Sequence, residues 1–194
     1  MKIESGIGNG KWAGVDENNR LKVVAKSSSN QHVIATETQK TFQVIGTATL
    51  ANGTVTPLTI KNTTTSQNIV ITYIRWQILD PAGGTALPNA SNYFKMGYDA
   101  AYSSGGTVVS EVNMTAGSNN IAGILAYNDN PTLSGTLTQF DRHYPKAAGD
   151  MNSFNKEGAA IVQPGQSITL QFVGDHTSGT IYTRCSFYVI DQEV

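Results

Sequence analysis

The stretch Leu58-Thr-Ile-Lys-Asn-Thr-Thr-Thr-Ser-Gln-Asn-Ile-Val-Ile-Thr-Tyr-Ile-Arg-Trp-Gln-Ile-Leu-Asp80 decides the fold. Two apolar, β-branched runs flank a polar turn at Asn62–Asn68, the pattern of two strands joined by a hairpin or an arch. In the second run Ile69, Ile71 and Tyr73 share one face, while Val70, Ile74, Trp76 and Ile78 share the other with Thr72. Apolar residues on both faces need cover on both, as in a central strand between two layers. The alternative is a bulge near Thr72–Ile74 that changes the buried face. Crowding by β-branched residues and the lack of capping signals argue against a helix.

The flanking sequence supplies the cover. Phe42, Val44, Ala48 and Leu50 alternate with Gln43, Thr47 and Thr49, with Ile45 as the exception on the outer face. Ala51-Asn-Gly53 suits a tight hairpin, and Pro57 hints at an edge or a strand end. Beyond the breaker Asp80-Pro-Ala-Gly-Gly84, residues 81–92 read as a loop, and Tyr93–Tyr102 fits a strand or a short helix. Thr107–Met114, Ile121–Tyr127, Leu133–Phe140, Ser167–Phe172 and Thr180–Ile190 read as strands. Residues 141–158, with Arg142, His143, Tyr144, Lys146 and Lys156, read as a long polar loop. Eight to ten strands with turn signals every eight to twelve residues predict an all-β antiparallel sandwich, jelly-roll-like, over 41–194.

Composition agrees. Charged residues are 14% of the 194, against roughly 25% in ordinary soluble domains, and Thr, Ser, Asn and 19 Gly replace them. That mixture suits strands with neutral polar outer faces. The net charge of -1 gives no electrostatic reason to expect nucleic acid or an anionic membrane as partner. Met1–Gly6 carries no apolar run of a secretory signal, and no window approaches a membrane-spanning helix. The single cysteine, Cys185, shares a phase with Ile181, Phe187 and Val189 and reads as a buried hydrophobe made in a reducing cytoplasm.

Residues 1–40 differ from the rest and read as an extended N-terminal arm. Gly6-Ile-Gly-Asn-Gly10 is too glycine-rich for regular structure, and it lacks the preceding strand of a dinucleotide site. Leu21–Ala25 is a short strand, and Lys26-Ser-Ser-Ser-Asn-Gln31 is a linker. So small an apolar set cannot fold alone, so the arm is expected to dock, with Ile7, Trp12, Arg20, Leu21, Val23 and Val24 as the interface.

The run Gly-Asn-Gly-Lys-Trp-Ala-Gly-Val-Asp-Glu-Asn-Asn-Arg-Leu-Lys-Val-Val-Ala, residues 8–25, resembles the opening of virion structural proteins of tailed bacteriophages. The strand pair within 58–74 is similar to theirs as well. The resemblance implies a non-enzymatic protein made in the host cytoplasm and carried on the virion. The expected role is a capsid decoration, or cement, protein. Its expected partners are the major capsid protein or another virion protein and sister copies, with a trimer favoured. A tail or head-fibre protein that binds cell-surface carbohydrate is the alternative, with Tyr93, Tyr98, Tyr102 and Tyr144 as stacking faces.

Signals for chemistry are weak. His32, His143 and His176 do not cluster with one another or with Cys185 as zinc ligands do. Asn128-Asp-Asn130 offers oxygens to calcium but reads better as an Asx turn before Pro131. Asp141 beside His143 imitates an acid–base pair, Glu111 and Glu157 could pair only through the fold, and no Gly-x-Ser-x-Gly elbow exists. No catalytic residue, cofactor or metal is expected. A polysaccharide-degrading enzyme would require a cleft with paired carboxylates.

Overall fold

The computed structural model describes residues 3–4, 12–13 and 34–192. The chain divides into two compact units, 1–30 and 31–194. In the first, β1 (Ile3–Glu4) pairs antiparallel with β2 (Trp12–Ala13), Glu4 opposite Trp12. Ile7, Arg20, Leu21, Val23 and Val24 lie outside the described residues. The second unit opens with a single π-helical turn, Ile34–Thr38. The segment that follows is held to the body: the carbonyls of Thr38, Gln39 and Lys40 accept from Asn120 Nδ2, Asn113 Nδ2 and the Val189 amide.

The body is built from one long ribbon. Its first half holds β3 (Thr41–Thr49), β4 (Gly53–Asn62), β5 (Gln67–Ala82) and β6 (Tyr93–Tyr98). An excursion follows, with β7 (Ala101–Ser104), β8 (Thr107–Val109), β9 (Val112–Asn113), β10 (Ile124–Asn128) and β11 (Thr132–Ser134). The chain then returns as β12 (Thr138–His143), β13 (Met151–Val162), β14 (Ser167–Gly174) and β15 (Ser178–Asp191). The returning half pairs antiparallel with the first in nested order: β12 with β6, β13 with β5, β14 with β4 and β15 with β3. The ribbon rolls on itself, so β15 also pairs with β5 and β14 with β6. The two sheets run β12-β6-β14-β4-β10-β8 and β13-β5-β15-β3-β9. Every strand of the ribbon lies in the sheet opposite its sequence neighbour within its half, which is the jelly-roll arrangement. The excursion covers one side of the sandwich, adding β10 and β8 beside β4 and β9 beside β3.

The organising strand does change its buried face. Ile69 and Ile71 enter the core, then Ile74, Trp76 and Ile78 do. On β15, Ser186 faces Tyr73 and Phe187 faces Ile71, so Thr72 is the extra residue of a bulge and its hydroxyl donates to the Ser186 carbonyl. β4 behaves alike: Val55 pairs with Phe172 and Leu58 with Leu170, leaving Thr56 and Pro57 opposite Gln171 alone. Pro57 sits at this bulge, inside a strand that is central in its sheet, because the bulge releases the ladder bond that proline cannot make.

Several sequence expectations change here. Ala51–Gly53 does not close a hairpin; it carries the chain from β3 in one sheet to β4 in the other. Of the hairpin and the arch that the sequence left open at Asn62–Asn68, the structure forms the arch between sheets. Tyr93–Tyr102 is strand, broken at Asp99, whose φ is 72°. Thr107–Met114 splits into β8 and β9, which join opposite sheets, and Leu133–Phe140 splits at Gly135, where φ is 81°. Residues 141–158 are mostly strand, with only 144–150 outside β12 and β13. The misreading has a physical source: β12 and β13 are the edge strands of their sheets, where polar residues are retained against edge-to-edge pairing.

Phe42, Val44, Leu58, Ile60, Phe94, Met96, Ile168, Leu170, Phe172, Ile181 and Phe187 fill the space between the sheets. Trp76 of β5 stacks across that space on Phe94 of β6, with centroids 4.6 Å apart. Cys185 is fully buried among them, and burial pushes its thiol up to about 12. A thiol reagent at pH 8 is therefore expected to leave Cys185 unmodified until denaturant is added. Rapid labelling of the folded protein would remove β15 from the core.

Candidate functional site

The outer face of the β13-β5-β15-β3 sheet brings exposed apolar side chains together with two arginines. On β3, β15 and β5 the positions between core residues point outward: Gln43 and Ile45, Tyr182 and Arg184, Tyr73, Arg75 and Gln77. Two of these, Ile45 and Tyr182, are apolar and open to solvent, and apolar residues on neighbouring strands join them. Met151 is 50% exposed and Tyr182 41%, Ile45 is also exposed, and beyond β3 Val112 is 61% exposed with Met114 beside it. At their centre Arg184 lies directly opposite Arg75 in the ladder.

Two like charges facing each other across a ladder are unfavourable. Among the described residues no carboxylate is in ion-pair range of either guanidinium. Arg75 is held in place by Tyr73: its guanidinium carbon sits 4.9 Å from the ring centroid. Hydrogen bonds from Ser153 and from Arg75 itself lower the Tyr73 hydroxyl below its usual pKa. Arg75 Nε is buried and has no hydrogen-bond partner. Both arginines line two shallow depressions, of about 210 Å³ beside Ile45, Gln77, Met151 and Tyr182, and about 250 Å³ beside Gln43, Tyr73 and Met114.

A second cluster closes the free edge of the sandwich. Asp141 on β12 makes an ion pair with Lys156, which the wide bulge of β13 between Asn155 and Ala160 carries toward it. His143 Nε2 lies 2.9 Å from Asp141 Oδ1 but not in hydrogen-bond geometry, and its ring stacks on Phe154 with centroids 3.6 Å apart. Burial lowers the pKa of both His143 and Lys156. The imidazole is therefore uncharged at neutral pH, and the ion pair is Asp141–Lys156. These groups lie on partly buried strands, not on the surface loop the sequence had led us to expect. What they do there is close the gap between two edge strands.

The other candidates resolve into structural roles. Asn130 Oδ1 accepts from the Thr56 amide and its Nδ2 donates to the Thr49 carbonyl, so the Asn128–Asn130 turn ties β3 to β4. Glu111 Oε1 accepts from the Ala122 amide, while the side chain of Glu157 lies outside the description. Asp175 accepts from the hydroxyl and amide of Thr85, bonds that hold its carboxyl down at about 2 and fasten the loop after β5. Of the tyrosines, Tyr102 stacks on Tyr127 at 3.5 Å, Tyr98 on Phe140 at 4.5 Å, and Tyr93 lies under Arg142 at 4.2 Å. Tyr144 remains exposed.

Arg75 and Arg184 drew no notice in the sequence. Each is one polar residue at an outward position of an alternating strand, and only the register brings them together. No family model matches this chain, and no curated protein matches it.

Proposed function

We propose that the protein is a non-enzymatic structural protein of a tailed-phage virion, a decoration protein that binds across neighbouring capsid subunits as a trimer. The observation that carries this is the outer face built around Arg75 and Arg184, where exposed Ile45, Met151 and Tyr182 offer a protein partner an apolar surface of interface type. The jelly roll alone does not choose, since coat and lectin domains share it. Support for a protein partner over a sugar comes from the tyrosines: Tyr93, Tyr98 and Tyr102 already have ring or guanidinium partners. The resemblance of residues 8–25 supports the virion setting. That residues 1–30 form a unit of their own supports an arm that anchors through Trp12 and the Leu21–Val24 segment.

The full chain, added to particles assembled without it, is expected to sediment with them at saturating stoichiometry. Burying Trp12 and Leu21 is worth at least about 3 kcal/mol per subunit, so Trp12→Ala/Leu21→Asp should weaken binding by about 100-fold or more. Full occupancy by that variant would remove the arm from the anchor. Failure of the wild-type chain to bind particles, with retention on a glycan array, would move the protein to the tail or head-fibre alternative.

A further inference from the structure

The docking face around Arg75 and Arg184 has a chemistry that narrows its partner. Ladder pairing holds the two guanidinium stems opposite each other, and Tyr73 fixes one of them. The fold leaves this like-charge pair without a counter-ion among the described residues, although 14 acidic residues are available in the chain. Repulsion across the ladder is relieved by one ligand, a carboxylate seated between the guanidinium groups. Arginine suits that role because its planar fork accepts a carboxylate with two parallel hydrogen bonds.

The surroundings select the source of the carboxylate. Ile45, Met151 and Tyr182 flank the pair on one side beside Gln77, and Met114 on the other beside Gln43, so apolar groups next to the carboxylate find apolar contacts on both sides. An acidic sugar would want several aromatic platforms here, and Tyr182 is the one exposed aromatic of the face. Nucleic acid would want a broad basic surface, which a chain of net charge -1 with two clustered arginines does not offer.

We propose that this face binds a protein segment that presents an Asp or Glu side chain flanked by apolar residues, with Arg75 and Arg184 gripping the carboxylate. The proposal deepens the docking role of the same face and rests on it.

The test needs no knowledge of the natural partner. Random dodecapeptides displayed on a carrier are selected on the full chain. Face-dependent binders are those lost on Ile45→Asp/Tyr182→Asp. These are expected to carry an acidic residue between apolar ones. They should also weaken as salt rises and lose about tenfold or more in affinity for Arg75→Gln/Arg184→Gln. The Gln variant should keep the wild-type melting temperature or exceed it, because a repulsive pair has been removed. Face-dependent binders without an acidic residue, or with undiminished affinity for the Gln variant, overturn the carboxylate inference alone. If no selected peptide depends on Ile45 and Tyr182, the docking role of the face falls and the inference with it.

Discussion

Trp76→Ala is expected to lower the unfolding free energy by about 3–5 kcal/mol. The side chain is fully buried, and it joins the two sheets: it stands on β5 and stacks on Phe94 of β6, which in turn packs against Phe172 of β14 at 5.5 Å. Truncation removes the transfer free energy of the indole and leaves a cavity that two hydrogen-bonded sheets cannot close. It also removes an aromatic pair worth about 0.5–1.5 kcal/mol beyond its area. For a domain of this size each kcal/mol shifts the melting temperature by about 2–4 °C, so a fall of roughly 6–20 °C should be seen. The indole Nε1 has no hydrogen-bond partner, so Trp76→Phe sacrifices no polar contact and should cost under about 2 kcal/mol. Urea titration at unchanged slope measures both variants. A loss below about 1 kcal/mol for the alanine variant would place the ring at the surface, and equal losses for both would mean that the indole nitrogen matters after all.

The strands that could be read from the sequence are those whose large apolar side chains all fall on one face. β3, β14 and β15 announce themselves through Phe42/Val44, Ile168/Leu170/Phe172 and Ile181/Cys185/Phe187, since a single period-2 pattern reports burial directly. β5 was legible for a different reason. Its pattern breaks parity at Thr72, and the break itself marks the bulge. What did not show was pairing. The turns at Asn52 and Asn62 look alike whether the chain reverses within a sheet or crosses to the other. Only the burial of both runs against each other decides, and that depends on residues more than a hundred positions away. The edge strands β12 and β13 failed for want of a pattern, because Asp141, Arg142 and Lys156 serve the rim and not the core.

The candidate site was less legible still, and for the same reason. Arg75 and Arg184 are 109 positions apart and become neighbours only when β5 and β15 are set in register. Slipping that register by one residue would turn Arg184 into the core and Cys185 out of it, so the burial of Cys185 and the position of the arginine pair are one structural fact. The outer face with its arginine pair is thus fixed by the hydrophobic pattern on its reverse side. Of the arm residues, Trp12 stands in β2 opposite Glu4, while Leu21, Val23 and Val24 lie outside the described residues.

Asn62→Asp is expected to destabilise the protein severely at pH 7 and much less at pH 4. Asn62 is fully buried where two turns meet. Its Nδ2 donates to the carbonyls of Gln67 at 2.8 Å and Val162 at 2.9 Å, and its Oδ1 accepts from the amide and hydroxyl of Thr64 at 3.0 and 2.7 Å. Its own backbone bonds Gln166 and Gly165 on the turn between β13 and β14. One side chain therefore fastens the β4–β5 arch to the end of β13 with no polar atom left over. An ionised Asp of the same shape would set a carboxylate oxygen against two carbonyl oxygens, so the folded state must keep the carboxyl protonated. Holding it neutral at pH 7, about three units above the ordinary Asp value, costs roughly 4 kcal/mol. The protonated acid still donates only one hydrogen bond where the amide donated two, and the orphaned carbonyl costs about 1–3 kcal/mol more. The sign follows from linkage: a carboxyl whose folded pKa is raised leaves the variant most stable below the unfolded value near 3.9, and stability is lost as pH rises above it. Chemical denaturation of wild type and variant at pH 4 and pH 7 should therefore give a gap of about 1–3 kcal/mol at the lower pH that widens by several kcal/mol at the higher. A gap independent of pH would mean that the carboxylate escapes to solvent, and that the arch does not need Asn62 to close.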